Sequence, residues 1–137
     1  MNEFMRIAVE NSLIAYKYGD VPVGAVIVKG DEVIASTYNK KNIDNVAVFH
    51  AEILAIIEAC KKLGSWYLND CDIYVTLKPC DMCLNAIAES RIKKIYYLLD
   101  SNYVTNLNTN YKNISLCSLE DVYEYKEILQ RFFRNLR

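Results

Sequence analysis

A chain of 137 residues, 53% hydrophobic and 24% charged, has the length of one ordinary domain and can bury roughly two-thirds of its unfolded surface. Its formal net charge of −1 (Lys+Arg 16, Asp+Glu 17) excludes disorder as the main state and a strongly basic nucleic-acid clamp as a whole-chain property. Four Gly and two Pro exclude collagen-like and linker-rich architectures.

The opening MNEFMRIAVE lacks the basic-then-apolar layout of a signal peptide, and no apolar stretch is long enough to span a bilayer. A cytoplasmic location is expected. Residues 2–18 read as an amphipathic helix with Phe4, Ile7, Ala8 and Ala15 at helical spacing, stopped by Gly19. Residues 25–28 and 33–36 flank a Gly30-Asp31 turn and predict a hairpin. YNKKNIDNVAV is polar and turn-rich until it meets His50. Residues 50–63 are apolar on most faces, which predicts a largely buried helix ended by Gly64.

CDIYVTL is a β-branched and aromatic run, hence a strand, ended by Pro79 ahead of a helix over roughly residues 80–90. KIYYLL at 94–99 is a further strand. Residues 100–113 are Asn-rich and read as an irregular loop, ISLC as a last short strand, and residues 119–135 as a closing helix. The order α-β-β-α-β-α-β-(β)-α predicts an α/β domain spanning 1–137, a mixed sheet of about five strands between helices. Strands separated by single helices are expected to pair in parallel.

The chemistry concentrates in two helix starts. His50, the lone histidine, opens HAE; thirty residues on, PCDMC carries Cys80 and Cys83 at i and i+3, one helical face apart. Two thiolates and an imidazole suit zinc, and helix N-termini favour thiolates. Three ligands leave a fourth position for a water that zinc acidifies, with Glu52 the nearest carboxylate in sequence to move protons. A structural Cys3His site, with Cys71 or Cys60 as fourth ligand, is the alternative. Otherwise Cys60, Cys71 and Cys117 are read as small buried residues. Tyr103 and Tyr111 are candidate stacking residues.

H-x-E followed by P-C-x-x-C is the signature of the zinc nucleobase deaminases. DVPVGAVIV, HAEILAI, YVTLKPCDMC, ESRI and the closing ILQRFFRNLR resemble the blocks of the bacterial tRNA-specific adenosine deaminases, over nearly the whole chain except residues 100–113. The resemblance implies a cytidine-deaminase-like α/β/α sandwich, one Zn2+ per subunit on His50, Cys80 and Cys83, and Glu52 as proton shuttle. It also implies that Asn39 hydrogen-bonds a flipped base, that Val23 packs on it and that the Ala51 N–H meets its edge. Phe49, directly before His50, is expected to narrow the pocket or stack on a base. The reaction implied is hydrolysis of a tRNA wobble adenosine to inosine by a homodimer whose subunits share their sites. Arg131, Arg134 and Arg137 sit on the helix whose family counterpart touches RNA. Lys78 reads either as a salt-bridge partner or as a phosphate contact. A deaminase of a small free base or nucleoside and a non-catalytic zinc protein are the competing functions.

Overall fold

The computed structural model describes residues 2–100, 114–116 and 119–135. The expectations for the loop at 101–113, including Tyr103 and Tyr111, and those for Cys117 and Arg137 lie outside these residues.

Helix α1 (Glu3–Lys17) starts because the Asn2 side chain accepts from the N–H groups of Phe4 at 2.8 Å and Met5 at 3.2 Å. It ends at Tyr18, before Gly19 takes φ +84°. Strands β1 (Gly24–Lys29) and β2 (Glu32–Tyr38) form the expected hairpin around Gly30, whose φ is +62°. Helix α2 (Ala51–Leu63) ends where Gly64, at φ +64°, returns its N–H to the Cys60 carbonyl. Strand β3 (Cys71–Leu77), helix α3 (Asp81–Glu89), strand β4 (Lys94–Leu99), strand β5 (Ile114–Leu116) and helix α4 (Leu119–Asn135) complete the order read from the sequence.

The five strands form one mixed sheet in the order β2-β1-β3-β4-β5. Strand β1 runs antiparallel to both β2 and β3, whereas β3, β4 and β5 are parallel. The expected parallel pairing across a single helix holds for β3 and β4 but fails for β2 and β3. Strand β1 lies between those two, because the hairpin leaves its open edge as the docking site for β3.

Side-chain alternation along β1 sends Ala25 and Ile27 to one face and Val26 and Val28 to the other. The first face packs against Ala51, Ala55 and Ala59 of α2 and Leu84 and Ile87 of α3. The second packs against Met5 and Ala8 of α1 and Tyr125 and Leu129 of α4. The result is the expected α/β/α sandwich. Helix α1 sits so close that a Cβ on Gly24 would lie 1.9 Å from the Ala8 carbonyl oxygen.

Helix α2 is less buried than its sequence suggests. Its three alanines and Glu52 face the sheet, while Ile53, Leu54 and Ile56 are half-buried and Ile57 is 40% exposed. Small residues let the helix approach the sheet, so the larger ones are left on its flanks. Cys60, too, is half-buried rather than buried. No helix among the described residues is long and apolar enough to cross a membrane.

Candidate active site

His50 and Cys80 occupy equivalent places: each is the N-cap of its helix, with extended backbone angles (φ −69°, ψ 152° and φ −71°, ψ 174°), and neither caps through its side chain. Pro79 fixes the second of these turns, since the ring disfavours helix at the residue before it and supplies no N–H to the sheet. The turn is anchored by Lys78, whose N–H donates to the Leu99 carbonyl at 2.8 Å. Cys83 lies one turn into α3, buried.

The three ligand atoms lie within 4.8 Å of one another. His50 Nδ1 is 3.7 Å from Cys80 Sγ and 3.6 Å from Cys83 Sγ. Tetrahedral zinc with ordinary Zn–S and Zn–N bonds separates sulfur and nitrogen by about 3.6 Å, so this donor set fits the ion. Cys71 begins β3 at the far end from Pro79, about 20 Å along the strand. Neither it nor Cys60 belongs to the cluster, so the four-ligand alternative finds no fourth cysteine among the described residues.

The Cys83 thiol, then His50, donates to Cys80 and lowers its pKa to about 4. Cys83 is pushed up in turn, first because its proton serves Cys80 and second by burial. The Cys80 sulfur raises His50 above the ordinary imidazole value, against the effect of burial. Glu52, 4% exposed, has its carboxyl raised to about 7, chiefly by burial. A carboxyl with that pKa both takes and releases a proton near neutrality.

A cavity of about 250 Å³ opens onto this cluster. Val23, Asn39, His50, Ala51, Glu52 and Cys80, all singled out in the sequence, line it, while Cys83 is fully buried beside His50. Asn39 is held by two bonds: its Nδ2 donates to the Val21 carbonyl at 3.3 Å, and its Oδ1 accepts from the Lys41 N–H at 3.1 Å. Ala51 opens α2, so its N–H is one of the first-turn donors that the helix itself leaves unpaired. Phe49 is half-buried and does not line the cavity; Val21 and Leu77 supply apolar wall instead.

Three supporting residues escaped the sequence reading. Asp20 is buried, and its carboxylate accepts from the N–H groups of Asn42 at 2.8 Å and Ile43 at 3.0 Å, pinning the segment that carries Asn39 and Lys41. Thr37 donates to the Ala51 carbonyl at 2.7 Å, tying β2 to the start of α2. Tyr125, buried in α4, donates to the Pro22 carbonyl at 2.6 Å and holds the Val21–Val23 wall from behind. The Asp-x-Pro run was visible as a block, but contacts spanning 22 and 103 residues carry no periodic signal.

Arg131 and Arg134 are exposed on α4, and Arg131 pairs with Glu127 at 3.0 Å. Asn135 donates to the Tyr16 hydroxyl at 3.2 Å, so α4 ends beside the end of α1, which leads into the Asp20–Val23 wall.

The model of the MafB19-like deaminase family matches residues 1–137. A tRNA-specific adenosine deaminase of Rickettsia felis is 40% identical over 144 residues, 97% of this chain and 100% of the relative. A solved structure from work on A-to-I editing by tRNA:A34 deaminases at the wobble position of transfer RNA superposes with a TM-score of 0.85. Its identity is 32%, over 94% of this chain and 100% of that one. A guanine deaminase from Bacillus subtilis superposes with a TM-score of 0.70 at 28% identity, over 98% of this chain and 95% of that one.

Proposed function

We propose that the chain, which belongs to the MafB19-like deaminase family and is related to the tRNA-specific adenosine deaminases, hydrolyses the wobble adenosine of a tRNA anticodon loop to inosine. The observation that carries this reading is the meeting of His50, Cys80, Glu52 and Asn39 on one cavity with apolar walls. Anticodon-loop bases are already unpaired, so extruding one costs less than it would in a duplex.

His50, Cys80 and Cys83 hold zinc in this account. When bound there, zinc would supply Lewis acidity, lowering the pKa of a water toward neutrality. Glu52 accepts a proton from the attacking water and delivers protons to the ring and to the departing amine, so that adenosine and water become inosine and ammonia. Burial of Glu52 suits it to both halves of this relay, because it lifts the carboxyl from the ordinary carboxylate range to about 7. Asn39, oriented before a base arrives by its bonds to Val21 and Lys41, hydrogen-bonds the base. Val23 packs on the ring, and the Ala51 N–H meets its edge. Arg131 and Arg134 contact the RNA backbone beyond the cavity. We further infer a homodimer, a reading supported by the exposed Ile57 of α2 and Met82 of α3, and a cytoplasmic location, a reading supported by the tRNA-specific relatives. Sedimentation of the zinc-loaded chain at twice the monomer mass tests it.

The functional test is mass-spectrometric detection of inosine in an anticodon stem-loop incubated with the zinc-loaded chain, beside ammonia release from free adenine, guanine and cytosine. Inosine at the wobble position with little ammonia from free bases is the expected result. Rapid turnover of a free base with an unchanged stem-loop would move the activity to the small-molecule class to which the guanine deaminase belongs.

A further inference from the structure

Two lysines stand on the cavity, and the chemistry of deamination uses neither. Lys41 comes from the segment after β2, and Lys78 from the turn after β3. Both line the same cavity as Asn39 and Glu52, and they reach it from the ends of two different strands with β1 between them. Among the described residues lining the cavity, the one carboxylate is Glu52, buried on its floor. Above that floor the described lining residues carry two lysines and no carboxylate, on a chain whose net charge is −1.

Lys78 is held loosely. Its Nζ lies 4.0 Å from Asp100 Oδ1 and 5.9 Å from the centre of the Tyr97 ring, with the side chain 24% exposed and that of Asp100 60% exposed. An ion pair at that separation, with one partner largely in water, contributes little to stability. An ammonium has three donors, so Lys78 can make a charge-assisted bond to a phosphate oxygen in place of its long contact with the exposed Asp100 carboxylate. Lys41 lines the cavity beside Asn39, and its own N–H donates to Asn39 Oδ1 at 3.1 Å.

We propose that Lys78 and Lys41 form a two-point clamp for the phosphodiesters on either side of the nucleotide whose base enters the cavity, with Lys78 exchanging Asp100 for phosphate on binding. The clamp selects a nucleotide inside a strand, since a free base brings no phosphate and a mononucleotide only one. This inference rests on the reading of the substrate as an RNA loop and identifies which groups of that substrate the rim recognises.

The test is the affinity of a fluorescent anticodon stem-loop for the zinc-loaded Glu52→Gln chain, titrated with salt, so that no turnover disturbs the measurement. Each single-strand phosphate contact adds about 0.7 to the slope of log affinity against log salt. Lys78→Gln and Lys41→Gln are each expected to weaken binding about 3- to 10-fold and to flatten the slope by about 0.7, and the double variant by about 1.4. Lys78→Arg should keep the slope. Lys62→Gln, which removes an exposed lysine paired with Glu32 far from the cavity, should leave it unchanged. An unchanged slope in Lys78→Gln overturns the clamp. So does a loss confined to competition by adenosine 5′-monophosphate, which would assign Lys78 to a free nucleotide. Normal slopes of loss in the variants, with no inosine formed by the chain with Glu52 intact, would support the clamp and overturn the deaminase reading.

Discussion

The start of α1 and the starts of α2 and α3 solve the same problem differently. In α1 the Asn2 side chain fills two of the unpaired N–H groups of the first turn. In α2 and α3 the N-cap residues are His50 and Cys80, which turn their side chains toward each other and leave the first-turn donors without a side-chain cap. A good cap is worth about 1 kcal/mol, so two helix ends give up stability where the chemistry gathers. What they gain is a cluster fixed by two helix starts, one just past β3 and the other tied to β2 through Thr37, and two N-termini that favour thiolate and anion. The difference separates a scaffold end from a working end within one fold.

The sharpest way to break this comparison is Glu52→Gln, which leaves the three ligands in place and removes the proton carrier. Activity should fall on the order of 10²- to 10⁴-fold while zinc content, read by atomic emission, stays at one per chain. Activity retained in that variant would assign the proton transfers elsewhere. Next in size is Gly24→Ala on the scaffold side. A methyl group there meets the Ala8 carbonyl oxygen, and urea unfolding should report a loss of about 1–3 kcal/mol as α1 is pushed from β1.

These two variants also mark what was legible in the sequence. Local punctuation was readable because the forces are local: Gly19 and Gly64 stop helices at positive φ, Gly30 turns a hairpin, and Pro79 ends β3. The ligand set was readable because His50, Cys80 and Cys83 form a motif with fixed spacing. The placement of β1 between β2 and β3 was not, since it depends on which edge of a hairpin the later strand finds. The exposure of Ile57 was not either, because an apolar helix reads as buried whether the sheet accepts its leucines and isoleucines or only its alanines. Asp20 and Tyr125 brace the cavity through contacts made only in the folded chain. Phe49 looked like a pocket residue by adjacency to His50, yet the turn into α2 leaves it off the cavity, with its carbonyl accepting from the Lys40 N–H at 2.9 Å.

Two smaller effects sharpen the contrast between the ends. Asn2→Ala should cost about 1 kcal/mol in thermal unfolding with kcat unchanged; a drop in kcat would mean that the scaffold end is coupled to the site. Cys80→Ser does the reverse. Serine is a strong N-cap residue and the backbone angles at position 80 suit one, so the metal-free variant should gain roughly 0.5 kcal/mol over the metal-free parent. The same change removes a thiolate ligand, so zinc should no longer stabilise the chain. A metal-free variant less stable than its parent would show that position 80 is not a sacrificed cap.

The central claim is that two cap residues and one buried cysteine hold zinc with a position left open for chemistry. X-ray absorption at the zinc edge of the loaded chain tests it most directly. The account predicts two sulfur ligands at about 2.3 Å and two nitrogen or oxygen ligands at about 2.0–2.1 Å, one of them exchangeable. Three or four sulfurs would mean a closed structural centre and would contradict it.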